Sequence, residues 1–450
     1  MKNLIYIIFI SPILSFLWKN SLQFTKKEYT KNIEISKNIN YDKNNNNNKI
    51  IRNINGFYGL IGPDKNLNKT KTLYELFMGN GIINGIFFDN GNITYVKKYI
   101  KTDKYLHEDL FSKLDIKNIF KYQLQENRNI FYPNILGVAN TNLLEINKNI
   151  YALHERDQPY LLNINFTSLD ISTIKKINIK NLNHFSAHSK FINNIIETID
   201  YKVFEKTINY YQLTNTFENI IKKKIKTKYL PLIHDFITTD NHIIIFDSPI
   251  KINLMNIISN INIIPFTLDP NKPTYIYIIN KKDNSKIDTY HINISFYIFH
   301  FADYYEDDQF IEIYASVYEN FNLSSLKLDG KYRKILINKL TKCITIEKNI
   351  ELEKMNLDFP IKYNDKVILQ SSTNEFVICK KLNIIKKIKI PTGVINGEHN
   401  LIYIDKIPHL ICFTSSTLII INIINNKIIE IPINEDLNIG FHSIFIENNK

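Results

Sequence analysis

The stretch TYIYIINKKDNSKIDTYHI, residues 274–292, contains two short runs of β-branched and aromatic residues with a polar segment between them. Residues 274–279 and 287–292 are predicted to form strands, because such residues pack well on a pleated surface. Residues 281–286 hold Lys, Asp, Asn and Ser, which favour a turn. The stretch therefore predicts a β-hairpin.

The same pattern recurs along the chain from about Gly56 onward. Residues 418–424 and 427–431 form a second predicted hairpin around an Asn-Asn turn. Few segments have a period that favours a helix, and residues 108–120 and 189–200 are the best candidates. Short strands with frequent turns predict an all-β fold.

The length of this β-rich region favours one architecture within the all-β class. Residues 56–450 would make an unusually large sandwich, whereas a β-propeller grows by adding blades without long exposed edges. No clean internal repeat is visible in the sequence. The propeller prediction therefore depends on size and on the resemblance described below.

The first 55 residues have a different composition and are predicted to form a targeting leader followed by a low-complexity linker. Residues 4–17 are apolar and follow Lys2, with the length of a signal-peptide core rather than of a membrane span. A basic, Asn-rich stretch comes next. This order predicts entry into the secretory route and a plastid destination. The alternatives are an uncleaved anchor and a location in the endoplasmic reticulum or at a membrane.

The formal net charge of +12 gives little support to nucleic-acid binding. Residues 1–55 contain nine Lys/Arg and three Asp/Glu, or +6, so half of the excess lies in the leader. The other half is spread thinly, without a basic stripe interleaved with aromatic residues. Nucleic acid is therefore not an expected partner.

Four of the eleven histidines lie in short frames that are typical of strand ends: His188, His234, His300 and His442. They are far apart in sequence, so a shared site would need the fold to bring them together. An isolated histidine beside an apolar strand is usually only a packed or surface residue. If the four do converge, they would form a metal site with nitrogen ligands alone.

Eight frames, in order along the chain, resemble motifs of the carotenoid cleavage oxygenase family. The frames are residues 78–85, 95–105, 139–141, 152–159, 185–190, 234–236, 299–306 and 440–442. The last four resemble the family's F-T-A-H-P-K, M-H-D-F, F-H-x-x-N-A-Y-E and G-F-H-G. His291 lies in a frame that imitates the third of these, but the Tyr305-Glu306 continuation follows only His300.

The chain also departs from the family pattern at several positions. Asn80 and Asn84 replace an Asp and a His, Asp303 replaces an Asn, and Ser443 replaces a Gly. We expect these departures to affect substrate fit more than the metal ligands.

The resemblance implies a seven-bladed β-propeller with a cap of loops and helices over the metal face. It also implies that Fe(2+) is the cofactor and that His188, His234, His300 and His442 are its ligands. Four neutral imidazoles would leave the charge of the ion uncompensated and two coordination positions open.

Three acids are expected to orient the histidines by accepting their outer N–H groups. By the resemblance, Glu155, Asp358 and Glu398 serve His234, His300 and His442. Asp358 is one methylene shorter than the family's Glu, so either the backbone sits closer or a water bridges the gap. Weaker iron binding than with Glu is expected from this shortening.

Two further positions near the open side of the metal follow from the resemblance. Thr141 matches a family position near the open iron site, and it is included with the acids among the catalytic candidates. His154 occupies the position just before Glu155, where stilbene-cleaving members carry a Lys. His154 is expected to be a neighbour of Glu155 in a cavity or on the surface rather than a ligand.

The function implied is oxidative cleavage of a conjugated C=C bond in a carotenoid or apocarotenoid, with O2 giving carbonyl products. The expected partners are therefore an apolar polyene and O2, with peripheral membrane contact because such substrates dissolve in lipid. Three alternatives stay open: a stilbenoid substrate, a retinoid-type isomerase, and an inactive propeller that serves as a binding module.

Overall fold

Strands make up almost all of the regular secondary structure in the described residues, as the sequence predicts. The computed structural model describes residues 34–40, 48–65, 70–107, 137–203, 205–252, 266–283 and 286–448. Seven sheets of four or five antiparallel strands form the blades of a β-propeller. The all-β, seven-bladed prediction is confirmed.

The first blade is closed by the two ends of the described chain. Its strands are β1 (Ile35–Asn38), β2 (Gly56–Pro63), β3 (Gly81–Asp89), β4 (Asn92–Tyr99) and β31 (Ser443–Glu447). They pair in the order β1-β4-β3-β2-β31. Strand β31 begins directly after His442, so the strand that closes the ring follows a predicted metal ligand.

The next three blades each contain four strands. Blade 2 holds β5 (Asn142–Ile146), β6 (Asn149–Leu153), β7 (Tyr160–Asn165) and β8 (Asp170–Lys176). Blade 3 holds β9 (Lys190–Ile192), β10 (Ile195–Lys202), β11 (Thr207–Thr214) and β12 (Asn219–Lys226). Blade 4 holds β13 (Ile237–Thr238), β14 (His242–Asp247), β17 (Thr274–Asn280) and β18 (Ile287–Ile292).

The last three blades repeat this arrangement. Blade 5 holds β19 (Tyr297–Glu306), β20 (Phe310–Tyr318), β21 (Lys331–Asn338) and β22 (Ile344–Glu347). Blade 6 holds β23 (Leu357–Tyr363), β24 (Lys366–Ser371), β25 (Glu375–Lys380) and β26 (Asn383–Lys389). Blade 7 holds β27 (Ile395–Ile404), β28 (Ile407–Thr414), β29 (Thr417–Asn422) and β30 (Ile428–Pro432).

Both hairpins predicted from the sequence are present. Strand β17 pairs with β18 in blade 4, and β29 pairs with β30 in blade 7. The apolar residues of neighbouring blades pack face to face. For example, Ile244 of blade 4 and Ile313 of blade 5 belong to one fully buried cluster. Burial of such surfaces, at about 25 cal/mol per Å² of apolar area, holds the ring together.

The inner edge strands of several neighbouring blades contact one another around the axis of the ring. Strand β19 contacts β23, β23 contacts β27, β27 contacts β31, and β31 contacts β5. Residues at the starts of these strands are therefore brought together at one end of the axis, although they are far apart in sequence.

Two described elements lie before residue 56, where the sequence places the domain boundary. Strand β1 pairs with β4 of the first blade. Helix α1 (Asn48–Arg52) contributes Ile51, which is fully buried in the core between blades 1 and 7. The first sheet therefore includes residues that the sequence analysis assigned to the linker. The predicted signal core, residues 4–17, lies outside the described residues.

The helix predicted for residues 189–200 is wrong, because this segment forms the hairpin of β9 and β10. Its Phe and Ile residues recur at a spacing of three or four, which imitates an amphipathic helix. Asn193 and Asn194 adopt positive φ values of 50° and 64°, which suit a tight hairpin turn and break the helical run. The other predicted helix, residues 108–120, lies outside the described residues.

A cap of short elements covers one end of the axis. It contains helix α2 (Leu73–Phe77), the two-stranded ribbon of β15 (Ile250–Ile252) and β16 (Phe266–Leu268), and the loop of residues 321–328. The apolar residues of the cap pack against Phe299 and Tyr318 of blade 5. Two more short helices, α3 (Asp103–Leu106) and a 3-10 turn (Leu352–Lys354), lie elsewhere.

Candidate metal centre

Four histidines meet under the cap, and they are the four that the sequence singles out. His188, His234 and His442 lie in the segments that lead into β9, β13 and β31, and His300 lies within β19. The pairing of β19 with β20 shifts register on both sides of His300. Such β-bulges redirect side chains and are frequent near active sites.

The ring nitrogens of the four histidines form a tight cluster. The Nε2 atom of His234 lies 3.0 Å from Nε2 of His188 and 3.3 Å from Nε2 of His300. The Nε2 atoms of His300 and His442 are 3.1 Å apart. Two ligands at about 2.1 Å from one ion and at right angles to each other are about 3.0 Å apart, so the spacing suits a shared metal.

Glu155 holds His234 from the outer side of the cluster. Its Oε1 atom lies 2.5 Å from Nδ1 of His234. Burial opposes ionisation of Glu155, but the adjacent His234 outweighs this effect and lowers the pKa of the carboxyl to about 2. An ionised carboxylate accepts the Nδ1 proton and leaves Nε2 with its lone pair.

Asp358 holds His300 directly, without the water that the sequence left as an alternative. Its Oδ1 atom lies 2.9 Å from Nδ1 of His300, and its Oδ2 atom accepts a hydrogen bond from the Tyr318 hydroxyl. The pairing of β23 shifts register after Asp358, and Phe359 adopts a φ of +51°, which is uncommon for an aromatic residue. This irregular backbone brings the short side chain close enough.

Glu398 holds His442 in a similar way. Its Oε2 atom lies 3.3 Å from Nδ1 of His442 and accepts the backbone N–H of Ser443 at 2.9 Å. Gly397 has a φ of +70°, and a Cβ atom there would lie 2.7 Å from the backbone of Gly440. Glycine at position 397 therefore lets this strand approach the segment that carries His442.

The contacts with the three acids favour lone pairs, rather than protons, on the imidazole nitrogens that face one another. Three of the imidazoles give their Nδ1 proton to a carboxylate, so their Nε2 lone pairs point at one another. Burial lowers the pKa of His300, and burial together with three neighbouring imidazoles lowers the pKa of His188 well below its usual value. The pKa of His442 is raised instead, because Glu398 outweighs the effect of burial. Protons are therefore disfavoured at His188 and His300, and a metal cation fits between the four nitrogens.

A cavity of about 390 Å³ lies between the cluster and the cap. Its wall is mostly apolar and includes Leu73, Phe77, Phe266, Phe299 and Phe321. His234, His300 and His442 open onto it. The cavity therefore gives an apolar molecule access to the candidate metal centre.

The remaining predicted site residues also lie at this cavity. Thr141 is buried, lines the cavity and donates a hydrogen bond from Oγ1 to the side chain of Asn140 at 3.0 Å. His154 lines the cavity as well, and its nitrogens are not part of the cluster. The placement of His154 beside Glu155 agrees with its prediction as a neighbour rather than a ligand.

The histidines outside the predicted set are used elsewhere. His291 is exposed on β18 and lies against the ring of Tyr275 at 5.7 Å, so its frame imitates a ligand only in sequence. His184 and His242 contact Asp200 and Glu306 at 3.1 and 2.6 Å. His399 is fully buried against Phe376.

Sequence reasoning missed several residues that the structure places at the site. Tyr318 touches Asp358, and Arg156, Tyr201 and Tyr297 line the cavity. None lies in a frame that distinguishes it from an ordinary core or surface residue. Strand pairing was the one available signal, because Tyr318 pairs with Tyr297 across β19 and β20.

Three of the four departures from the family motifs make their contacts away from the metal centre, whereas Ser443 donates its backbone N–H to Glu398. Asn84 accepts a hydrogen bond from the Tyr95 hydroxyl inside blade 1, and Asp303 pairs with Lys362 at 2.6 Å. Neither Asn80, Asn84 nor Asp303 is among the described residues that line the cavity.

Within the described part of the chain, no helix has the length and apolar character needed to cross a membrane.

Comparison with known sequences gives a consistent family assignment. The family model described as retinal pigment epithelial membrane protein matches residues 50–393. The carotenoid 9,10(9',10')-cleavage dioxygenase 1 of Pisum sativum is 26% identical over 295 residues, or 60% of this chain and 53% of the relative. The chain thus spans about half the length of the curated relatives it matches. Glu398 and His442 lie beyond the family match, so their place at the site comes from the structure.

Solved structures with this fold are similar over almost the whole chain. Cobalt-substituted Synechocystis apocarotenoid oxygenase has a TM-score of 0.71 at 14% identity, covering 92% of this chain and 96% of that structure. Pseudomonas brassicacearum lignostilbene dioxygenase has a TM-score of 0.71 at 14% identity, covering 94% and 97%. At such low identity the two structures establish the shared propeller fold.

Proposed function

The chain belongs to the retinal pigment epithelial membrane protein family, and from this premise we propose that it is a non-haem ferrous dioxygenase. The substrate is a carotenoid or apocarotenoid, and the bond cleaved is a conjugated C=C bond. Each carbon of that bond receives one oxygen atom of O2. One C=C and one O2 become two C=O groups, so no further oxidant or reductant is needed.

One observation carries the proposal: four imidazole nitrogens converge on the wall of a mostly apolar cavity. A metal at this place lies where a polyene can reach it. Imidazole suits iron as well as zinc, copper and nickel, so the choice of iron depends on the family. When bound, Fe(2+) supplies the electrons that allow O2 to react with a closed-shell alkene.

The residues of this chain hold and orient the reactants. Glu155, Asp358 and Glu398 fix the imidazole rings and leave their Nε2 lone pairs toward the metal. Because the carboxylates stand behind the imidazoles, no negative ligand reduces the charge of the ion. The apolar cavity wall excludes water and aligns the extended polyene across the cluster, with Thr141 at its edge.

Cleavage can be tested on the purified full-length protein after metal removal and reconstitution with Fe(2+). The expected products from an apocarotenoid are two carbonyl compounds, and 18O2 labels both at early times. Labelled carbonyls that require Fe(2+) would support the proposal. A product with the mass of the substrate indicates an isomerase, and turnover of stilbenoids alone indicates the stilbenoid alternative.

Failure to bind iron at the cluster would contradict the dioxygenase proposal and favour a binding module. Iron content measured on the wild-type protein distinguishes this outcome from poor turnover of a wrong substrate. If the protein binds one Fe(2+) but cleaves no polyene, the metal centre is supported and the proposed substrate class is wrong.

Two further parts of the proposal concern location. We propose that residues 1–55 direct the chain into the secretory route and on to a plastid, and that the cavity mouth contacts a membrane during substrate uptake. Fusion of residues 1–55 to a fluorescent protein tests the first part. Retention of the fusion in the cytosol would contradict it.

A further inference from the structure

Four hydrogen-bond donors of the cavity wall either flank Glu155 in sequence or lie within its electrostatic reach. His154, Arg156, Tyr201 and Tyr297 line the cavity and can all donate hydrogen bonds. We name these four residues the donor wall. Apart from the histidine cluster, the remaining wall is mostly aliphatic and phenylalanine side chains, and its other uncharged polar members are Tyr74, Thr141, Tyr318, Asn356, Gln370 and Ser372.

Three residues of the donor wall, His154, Tyr201 and Tyr297, have hydrogen-bond capacity to spare. Nδ1 of His154 accepts the backbone N–H of Arg156 at 3.2 Å, and burial lowers the pKa of His154, so the neutral ring carries its proton on Nε2. Burial raises the pKa of both tyrosines, which keeps their hydroxyls protonated. Among the described residues, neither hydroxyl has a hydrogen-bond partner.

The charges around the donor wall favour an incoming acceptor. Arg156 is the only lysine or arginine among the described residues that line the cavity. Its two neighbours in sequence are acids that contact other residues: Glu155 contacts His234 and Asp157 contacts Lys176 at 2.6 Å. Arg156 itself also interacts with another residue, so its positive charge and not a lack of partners is what matters here. Tyr201 lies within electrostatic reach of Arg156, which places hydroxyl and guanidinium in one region.

We propose that the donor wall binds the oxygen-bearing end of the polyene substrate, a carboxylate or an aldehyde. Such a group only accepts hydrogen bonds, and every member of the wall can donate one. The positive charge of Arg156 favours the carboxylate over the neutral carbonyl. The polyene nature of the ligand rests on the function proposed above, whereas the recognition of its end does not require cleavage.

The position of the donor wall also sets which bond meets the metal. His154 and Arg156 flank Glu155, whose carboxylate touches a ring of the histidine cluster. An end group held there leaves only a short part of the polyene between itself and the cluster. The bond presented for cleavage is therefore near the oxygenated end, and one product is a short fragment with oxygen at both ends.

Binding without turnover tests the donor wall. The full-length, Fe(2+)-loaded protein is titrated under anaerobic conditions with retinoic acid, retinal and axerophtene, which share one polyene chain and differ at its end. Polyene absorbance reports the bound fraction. The wild-type protein is expected to bind the acid and the aldehyde at least about tenfold more tightly than the hydrocarbon.

Variants of the wall should remove this preference selectively. Arg156→Gln is expected to weaken binding of the acid by about tenfold to a hundredfold and to leave the hydrocarbon unchanged. Tyr201→Phe and Tyr297→Phe delete one hydroxyl each and should weaken the aldehyde by a few-fold. Tyr332→Phe is the matched control, because its buried hydroxyl does not face the cavity.

Equal binding of all three polyenes by the wild-type protein would contradict the proposal that the donor wall binds the oxygen-bearing end. Equal loss of all three by Arg156→Gln would do the same, because it would indicate a structural role. Arg156→Lys, which keeps the charge, should retain part of the preference. If the preference is present but no cleavage occurs in O2, the donor wall stands and the dioxygenase proposal fails.

Discussion

The metal centre and the donor wall lie against the same cavity, but their polar groups are held in opposite ways. In the centre, three imidazoles have a carboxylate behind them, and Asp358 has a second partner in Tyr318. In the wall, two hydroxyls have no described partner. Groups with built-in partners are preorganised for one ion, whereas groups without them are left for a ligand that supplies the missing atom.

Removal of one imidazole should break the centre and spare the cavity. His300→Ala is expected to lower iron affinity by more than about a hundredfold. Even the loss of a residue that only hydrogen-bonds to a metal ligand lowers metal affinity by about tenfold to a hundredfold. Iron titration measures this effect, and anaerobic polyene binding should change little.

His291→Ala is the matched control for this experiment, because His291 shares the sequence frame but is exposed on β18. Its iron affinity should equal that of the wild-type protein. If both variants lost iron equally, the assignment of His300 to the centre would be wrong.

The sequence was sufficient for the four histidines because a few residues around each ligand are distinctive. It was insufficient for Tyr201, Tyr297 and Tyr318, which reach the site only through strand pairing and curvature. The failed helix at residues 189–200 has a related cause. Apolar spacing alone could not distinguish a helix from two strands joined by an Asn-Asn turn.

We expect acid to destabilise contacts between the blades as well as the metal centre. Glu306, at the end of β19, contacts His242 of blade 4 and Lys339 at 2.6 and 3.1 Å. Burial opposes its ionisation, but these partners and Thr239 lower its pKa to about 2. The contribution to stability is complete above pH 4.5, the usual pKa of Glu, and is lost as pH falls toward 2.

Glu306→Gln should therefore lose up to about 3 kcal/mol near pH 6 and much less near pH 3. Denaturant unfolding of the metal-free protein at both pH values measures the difference. Glu145→Gln, at an exposed site on β5, is the control. A loss that does not depend on pH would refute the ion-pair explanation.

Alanine substitution of two glycines with similar φ values tests how closely Glu398 must be positioned for iron to bind. Gly397→Ala places a Cβ against the backbone of Gly440, whereas Gly393→Ala, at a φ of +75°, meets the side chain of Thr414 at 2.9 Å. Both should lose about 1–2 kcal/mol from the left-handed conformation. Only Gly397→Ala should also lower iron affinity, because it displaces Glu398; equal iron affinity in the two variants would contradict this.

Tyr318 is expected to act as a positioning residue for Asp358. Tyr318→Phe removes the hydrogen bond to Oδ2 and should weaken iron binding by about tenfold, as for other outer partners of metal ligands. A shift in the midpoint potential of the iron should accompany this loss, because the electron donation of His300 changes. Tyr332→Phe again serves as the control. Identical midpoint potentials in the wild-type protein and both variants would show that Tyr318 does not influence the metal centre.

The smallest expected effect concerns the length of the acid behind His300. Sequence alone predicts stronger iron binding with Glu at position 358, because the shorter Asp would leave a gap. The direct contact at 2.9 Å removes that gap, and the irregular backbone at Phe359 is matched to the shorter side chain. We therefore expect Asp358→Glu to leave iron affinity within about threefold of the wild-type value or to lower it, because the added methylene must displace either His300 or Tyr318. An iron titration that gives clearly tighter binding with Glu would mean that the short acid limits the metal centre after all.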